Sequence, residues 1–178
     1  TFTQLEKDQH LLAIGEELGS SGSFEFDIAS QTTRWSENMY KIKGFELTAD
    51  IGNDKYIGHV HPEDKSAYLE TYSKIMSSVA PTLFEYRLIR PLDGKVVHLR
   101  LDSRFIRNRQ GTPTALMGSV QDITQIKETQ KSLKLSEASL KIAQNIAKIG
   151  SWVLSSDGLT VEWSDEMFVI HGIEKQSV

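Results

Sequence analysis

RWSENMYKIKGFE spans residues 34–46, and EWSDEMFVIHGIE spans residues 162–174. In the first copy Ser36 is a good helix N-cap, and Glu37 places a negative charge in the first turn, where the helix dipole favours it. Gly44 supplies the left-handed residue that commonly ends a helix. ENMYKIK therefore reads as a short capped helix. Ahead of it, TTRW (32–35) reads as a short strand, SFEFDI (23–28) alternates as another, and Ser30-Gln31 turns between them.

The two copies are in register. Trp35 and Trp163 lie 128 positions apart. The same offset pairs Leu12 with Leu140, Ile14 with Ile142, Gly22 with Gly150, Ser23 with Ser151, Ser36 with Ser164, Met39 with Met167, Ile42 with Ile170 and Gly44 with Gly172. The matched set is strand, turn, strand, capped helix and glycine stop, so a structural unit is set down twice in tandem. The second copy is expected to be truncated, stopping before any long helix or hairpin set.

Upstream, Leu5, Leu11, Leu12, Ile14 and Leu18 recur near helical spacing, so residues 3–18 read as an amphipathic helix that GSSG (19–22) breaks. Downstream, residues 54–60 read as a further helical turn. In HVHPED (59–64), Pro62 suits the first position of a helix, and Glu63 and Asp64 favour its positive end. Tyr68, Tyr72, Ile75 and Val79 then share one face, which predicts a long helix over 62–78. Residues 82–90, 96–107 and 114–123 read as three strands. Asp93-Gly94 is a strong hairpin signal between the first two, and RNRQG (107–111) makes the next turn. Along the middle strand Val97, Leu99, Leu101, Ser103 and Phe105 share a face. Runs of strands and runs of helices, without βαβ alternation, argue an antiparallel α+β domain.

From Thr124 the character changes. TQIKETQKSLKLSEASLKIAQNIAK (124–148) contains no Gly and no Pro. Ile126, Leu133, Leu140 and Ala147 sit seven apart, and Leu135, Ile142 and Ile149 form a second such set. Heptad spacing argues a long helix with a coiled-coil tendency, weakened where Thr129, Ser136 and Ala143 occupy the other half of the seam.

The ordered set GSFEFD, TTRWSENMYKIKGF, HVHPED, FEYRLIRPLDGKVVHL and MGSVQDIT resembles a PAS domain, more narrowly the PAS-with-PAC subtype of bacterial sensor histidine kinases. The likeness covers about residues 12–124 in full and about 140–178 as a truncated second copy. It implies a five-stranded antiparallel sheet with helices on one face, a homodimer, and a role in sensing or in relaying signals through the exit helix to downstream PAS or kinase domains. The expected divisions are a flanking helix over 1–21, a PAS domain over 22–124, a connecting signalling helix over 125–149 and the start of a second PAS domain over 150–178. A diguanylate cyclase is the alternative output, and a small-ligand sensor is the second reading of the first domain.

Trp35, Tyr40, Tyr68, Tyr72, Tyr86 and His98 are the candidates for lining a ligand pocket between helices and sheet, with plain core packing as the ordinary alternative. His98 stands where similar sequences often carry Trp. Asp122 and Thr124 fall in a stretch similar to the family's Asp-Ile-Thr exit motif, where each can offer an oxygen to the free N–H groups of the helix start. With Ile126, Leu133 and Leu140 they make up the expected relay. His59 and His61 read as residues of a helix start rather than as metal ligands. Haem-binding relatives carry their ligand on the long helix, and residues 65–77 hold no His, so haem is disfavoured.

Composition narrows the rest. The chain has 178 residues, 39% of them hydrophobic and 25% charged, enough to build a core without staples. The formal net charge of -4 argues against a nucleic-acid surface. The absence of Cys removes disulfides, zinc–thiolate sites, iron–sulfur clusters and cysteinyl-flavin photochemistry, leaving a non-covalent small ligand open. No apolar run approaches the roughly 18–20 residues of a membrane span, and a cytoplasmic location is expected. No nucleophile elbow, P-loop or dinucleotide glycine fingerprint is present, so no enzyme activity is expected of this segment. The first residue is Thr rather than Met, and a piece of a longer protein is expected.

Overall fold

Thr3 opens the first helix by a reciprocal cap. Its Oγ1 accepts the Glu6 N–H at 3.3 Å, while the Glu6 carboxylate accepts the Thr3 N–H at 2.7 Å. This helix, α1 (Gln4–Leu18), begins a computed structural model that describes residues 3–47, 53–78 and 81–174. The chain divides into two units, Thr1–Lys127 and Glu128–Val178. Val79, the last member of the Tyr68 face, lies outside the described residues.

In the first unit the elements run α1, β1 (Ser21–Asp27), β2 (Thr32–Trp35), α2 (Glu37–Lys43), α3 (Asn53–His59), a 3-10 turn (Pro62–Asp64), α4 (Lys65–Ser78), β3 (Thr82–Ile89), β4 (Val96–Arg107) and β5 (Pro113–Asp122), followed by α5 (Thr124–Ala147), whose first turn belongs to this unit. The strands form one antiparallel sheet in the order β2-β1-β5-β4-β3. This is the five-stranded α+β architecture the sequence leads one to expect. Phe24 pairs with Trp35 and Gly118, and Leu101 with Phe84 and Val120.

Two boundaries differ from the expectation. GSSG is not all loop: only Gly19-Ser20 turns, with Ser20 at φ 48°, and Gly22 already lies inside β1 opposite Val120. A Cβ on Gly22 would come within 2.5 Å of the Met39 backbone, so the strand needs glycine there to let α2 approach. The single helix expected over 62–78 is a 3-10 turn followed by α4. His61 caps the turn through Nδ1, and Pro62 occupies its first position.

Burial follows the strand period. Val97, Leu99 and Ser103 of β4 are buried, while Asp102 and Arg104 face outward. Met39, Ile42, Tyr56, Val60, Tyr86, Leu88 and Val120 join Val97 and Leu99 in the core. Arg87 fastens the 3-10 turn to β3. Its guanidinium reaches Asp64 at 2.6 and 3.0 Å and Glu63 at 2.8 Å, and its own N–H donates to Asp64 at 2.8 Å.

The second unit holds the rest of α5, a two-stranded sheet of β6 (Trp152–Leu154) and β7 (Val161–Trp163), and α6 (Asp165–His171). Several of its pairings match those of β1, β2 and α2 at the offset of 128. Trp152 pairs with Trp163 as Phe24 pairs with Trp35. The Ser151 N–H donates to Ser164 Oγ at 2.9 Å, and the Ser23 N–H to Ser36 Oγ at 3.1 Å. Gly172 ends α6 at φ 65°, ψ 29°, as Gly44 ends α2 at φ 71°, ψ 38°. One detail departs: Ser36 Oγ also accepts the Met39 N–H at 3.3 Å, whereas Ser164 makes no such cap bond. No helix among the described residues is long and apolar enough to cross a membrane.

Candidate functional site

An aromatic cavity of about 560 Å³ lies between the sheet of the first unit and α2, α3 and α4, within the size range of small-molecule sites. The strand period sends Phe24 and Phe26 of β1, Trp35 of β2, Tyr86 of β3, Leu101 and Ser103 of β4 and Leu116 of β5 into it. Tyr40, Tyr56, Tyr68, Tyr72, Ile75 and Met76 close it from the helices. The rings touch in a chain. Trp35 lies 5.2 Å from Tyr40 and 5.8 Å from Tyr56, Tyr56 lies 6.0 Å from Tyr68, and Tyr68 lies 5.0 Å from Tyr86, all inclined rather than face to face.

Lys43 is the single charged residue among the described residues that line the cavity. It is 5% exposed, and its Nζ lies 4.1 Å from the Trp35 ring centroid and 4.2 Å from that of Tyr56. The two ring faces attract a cation, but no carboxylate among the described residues is paired with it. Burial therefore pulls its ammonium down to about 7. Other polar groups face the same space. Ser103 is 1% exposed and its Oγ has no hydrogen-bond partner among the described residues. The Tyr56 and Tyr86 hydroxyls bond to each other, and burial holds both phenols well above their usual range, so both stay protonated.

A second constellation sits where β5 becomes α5. Asp122 Oδ1 accepts the Thr124 N–H at 2.8 Å, satisfying one free donor of the helix start. The Asp122 N–H donates to Ser20 O at 2.8 Å. Thr124 Oγ1 accepts the His98 N–H at 2.9 Å, and the Ile123 N–H donates back to His98 O at 2.9 Å. Lys127 pairs with Glu85 of β3 at 2.7 Å, and Arg100 of β4 meets the same carboxylate at 2.8 Å. These two cations hold the Glu85 carboxyl below its usual range. The first turn of α5 is thereby bonded to β3 and β4, two of the strands that wall the cavity.

The sequence pattern of the PAS fold family matches residues 32–120, half of the chain and most of the sheet just described. The chain belongs to the PAS fold family. Among curated proteins it is similar to a probable diguanylate cyclase, DgcE, of Escherichia coli K12, at 24% identity over 82% of this chain and 13% of the relative. It is also similar to an uncharacterized protein of Pseudomonas chlororaphis, at 26% identity over 62% of this chain and 49% of the relative. The chain thus spans less than half the length of either relative. Among solved structures it resembles a sensory box histidine kinase/response regulator from Burkholderia thailandensis. That match has a TM-score of 0.56 and 20% identity, and covers 73% of this chain and 97% of the other. The N-terminal domain of a diguanylate cyclase with PAS/PAC sensor from Marinobacter aquaeolei matches with a TM-score of 0.54 and 18% identity, over 60% of this chain and 98% of that one. These likenesses establish the PAS fold.

Within the PAS domain, Trp35, Tyr40, Tyr68, Tyr72 and Tyr86 come together on the cavity. His98 does not. It stands on the opposite face of β4 from Leu101 and Ser103, because odd-numbered residues of that strand point to the core and it is even. Its backbone, not its imidazole, serves the junction. Asp122 caps as anticipated, but the Thr124 hydroxyl splices the helix to β4 instead of capping it. Ile126 and Leu133 are exposed. Leu140 lines a shallow cleft of about 280 Å³ in the second unit, beside Lys141 and Trp163. His59 stacks edge-on against Phe45 at 5.2 Å, and no group of three His, Cys, Asp or Glu among the described residues is placed to hold a metal.

Sequence reading missed Lys43, Tyr56 and Ser103. The signal for Lys43 was present: it lies four residues after Met39 and so shares the buried face of α2. The repeat carried it too, since the offset pairs Lys43 with His171, whose ring lies 4.9 Å from Trp163. Both copies set a basic residue against the tryptophan of the second strand.

Proposed function

We propose that this chain is a sensory and relay segment of a bacterial signal-transduction protein, and that its PAS domain passes a conformational signal through α5 to a downstream output domain. A sensor histidine kinase is the output this reading favours, with a diguanylate cyclase as the alternative; similar proteins carry both names. The observation that carries the reading is the junction. A displacement of β3 or β4 by an event in the cavity moves Glu85 or the His98 backbone, and with them the first turn of α5. In the same reading residues 82–124 are the PAC portion, and residues 150–174 are the opening elements of a second PAS unit, supported by the repeated hydrogen bonds. The leading and connecting helices form a homodimer, supported by the exposed Leu11, Leu12, Leu18, Leu133 and Leu140. The cytoplasm is its compartment, and no catalytic step belongs to this segment. The test is the output activity of the full-length protein carrying Asp122→Ala: altered output supports the relay, and unchanged output removes it.

A second reading, in which the first domain senses a small ligand directly, is favoured by the cavity and its unpartnered polar groups.

A further inference from the structure

Among the described residues the cavity lining is mostly aromatic and aliphatic, with Gln31, Thr32 and Thr33 added and no Asp or Glu. Against that background three polar groups are placed without full partners. Lys43 Nζ lies between the faces of Trp35 and Tyr56 with no paired carboxylate among the described residues. Ser103 Oγ is buried without a hydrogen bond among the described residues. The Tyr56–Tyr86 hydroxyl pair holds two O–H protons and uses one of them for its mutual bond, so one is left to donate. A buried cation and unmet donors are costly unless something satisfies them. Here the chain leaves them facing an open volume.

We propose that this cavity binds a small aromatic monocarboxylate, with the carboxylate on Lys43 and the ring against the aromatic wall of Tyr68, Tyr72 and Phe24. The proposal rests on the ligand-sensor reading and names its chemistry. Charge selects the class. One ammonium matches one negative charge, and no Arg fork lines the site to hold a phosphate dianion. Size and wall composition select a ring-bearing body, because the inclined rings offer edges and faces for an aromatic guest. Both phenols stay protonated, so the one proton their mutual bond leaves free can donate toward an anion. Binding draws a proton: a carboxylate beside Lys43 favours its charged form, and the free ammonium, pulled down to about 7, is only partly charged at slightly alkaline pH.

The experiment is isothermal titration of the chain with benzoate, phenylacetate and indole-3-acetate, and with the corresponding three amides, at slightly alkaline pH in two buffers of different ionisation enthalpy. The expected result is that at least one acid binds, with proton uptake read from the buffer dependence, and that its amide binds more weakly by about tenfold or more. Lys43→Met should abolish the acid's advantage over the amide. Should that variant fail to fold, the buffer dependence of the wild-type chain decides by itself. Equal binding of acid and amide, or acid binding without proton uptake, overturns the carboxylate proposal and leaves a neutral-ligand sensor standing. Binding of none of the six probes overturns this proposal and counts against the ligand-sensor reading as well.

Discussion

Lys43 Nζ lies 4.1 Å from the ring centroid of Trp35, a buried cation held by an aromatic face and by no carboxylate among the described residues. The folded chain keeps this ammonium at about 7, whereas an unfolded lysine titrates at about 10.4. Between those values the unfolded chain holds more protons, so stability rises as pH rises from 7 toward 10 and is lowest below 7. Lys43→Met should remove that rise and stabilise the ligand-free chain at pH 7 by an amount on the order of a few kcal/mol. Urea melts of both proteins between pH 6 and pH 10 check this. A parallel pH dependence in the two would show that Lys43 is not the group responsible.

Asp64 and Arg87 make a stabilising contribution that acid removes. The Arg87 guanidinium bonded to Asp64 holds that carboxyl below its usual range. Its contribution is complete above the unfolded carboxyl value of about 3.9 and is lost as pH falls through the lower folded value. Asp64→Ala should cost about 2 kcal/mol at neutral pH, since it strands a charge-assisted fork at the start of α4. It should also flatten the acid limb of the stability curve. Melts at pH 7 and pH 3 give both numbers.

Gly22 and Gly150 occupy matched positions with unequal tolerance. A Cβ on Gly22 meets the Met39 backbone, which cannot turn aside, while one on Gly150 meets mainly the Met167 side chain, which can. Gly22→Ala should therefore cost roughly 1–3 kcal/mol, and Gly150→Ala clearly less. Thermal melts of the two variants make the comparison.

Leu133 is 59% exposed on α5, one heptad after the exposed Ile126 and one before Leu140. If the seam is used for dimerisation, the chain sediments as a dimer at roughly 100 μM, and Leu133→Glu shifts it to monomer. A wild-type monomer at that concentration contradicts the homodimer.

The fold was largely legible because its signals are local and repeated. Asp93-Gly94 forms its hairpin turn, β4 alternates strictly from Val97 to Ser103, and Ser36 and Gly44 bound α2 where caps should. The cavity was half legible. Five aromatics were named because bulky rings near strands and helices tend inward. His98 misled because its likeness to a position that often carries Trp outweighed the strand period, which already sets even-numbered residues of β4 on the face opposite Leu99 and Leu101. Lys43 escaped because a charged residue on a short helix reads as solvated, and only its spacing from Met39 betrays burial. The strand period puts Ser103 on the inner face but does not show that its hydroxyl lacks a partner, and Tyr56 owes its role to neighbours far away in sequence, which periodicity cannot supply. The same is true of Thr124: its hydroxyl looked like a cap, and only the fold brings the His98 N–H within 2.9 Å of it.

The β5–α5 junction is proposed to carry the signal, and Asp122→Ala in the full-length protein probes it. The substitution removes the oxygen that accepts the Thr124 N–H, at a cost of about 1 kcal/mol, so this chain should still melt cooperatively. Output activity, read as autophosphorylation or as cyclase turnover, should shift by about fivefold or more. A folded variant with unchanged output would show that the junction does not carry the signal.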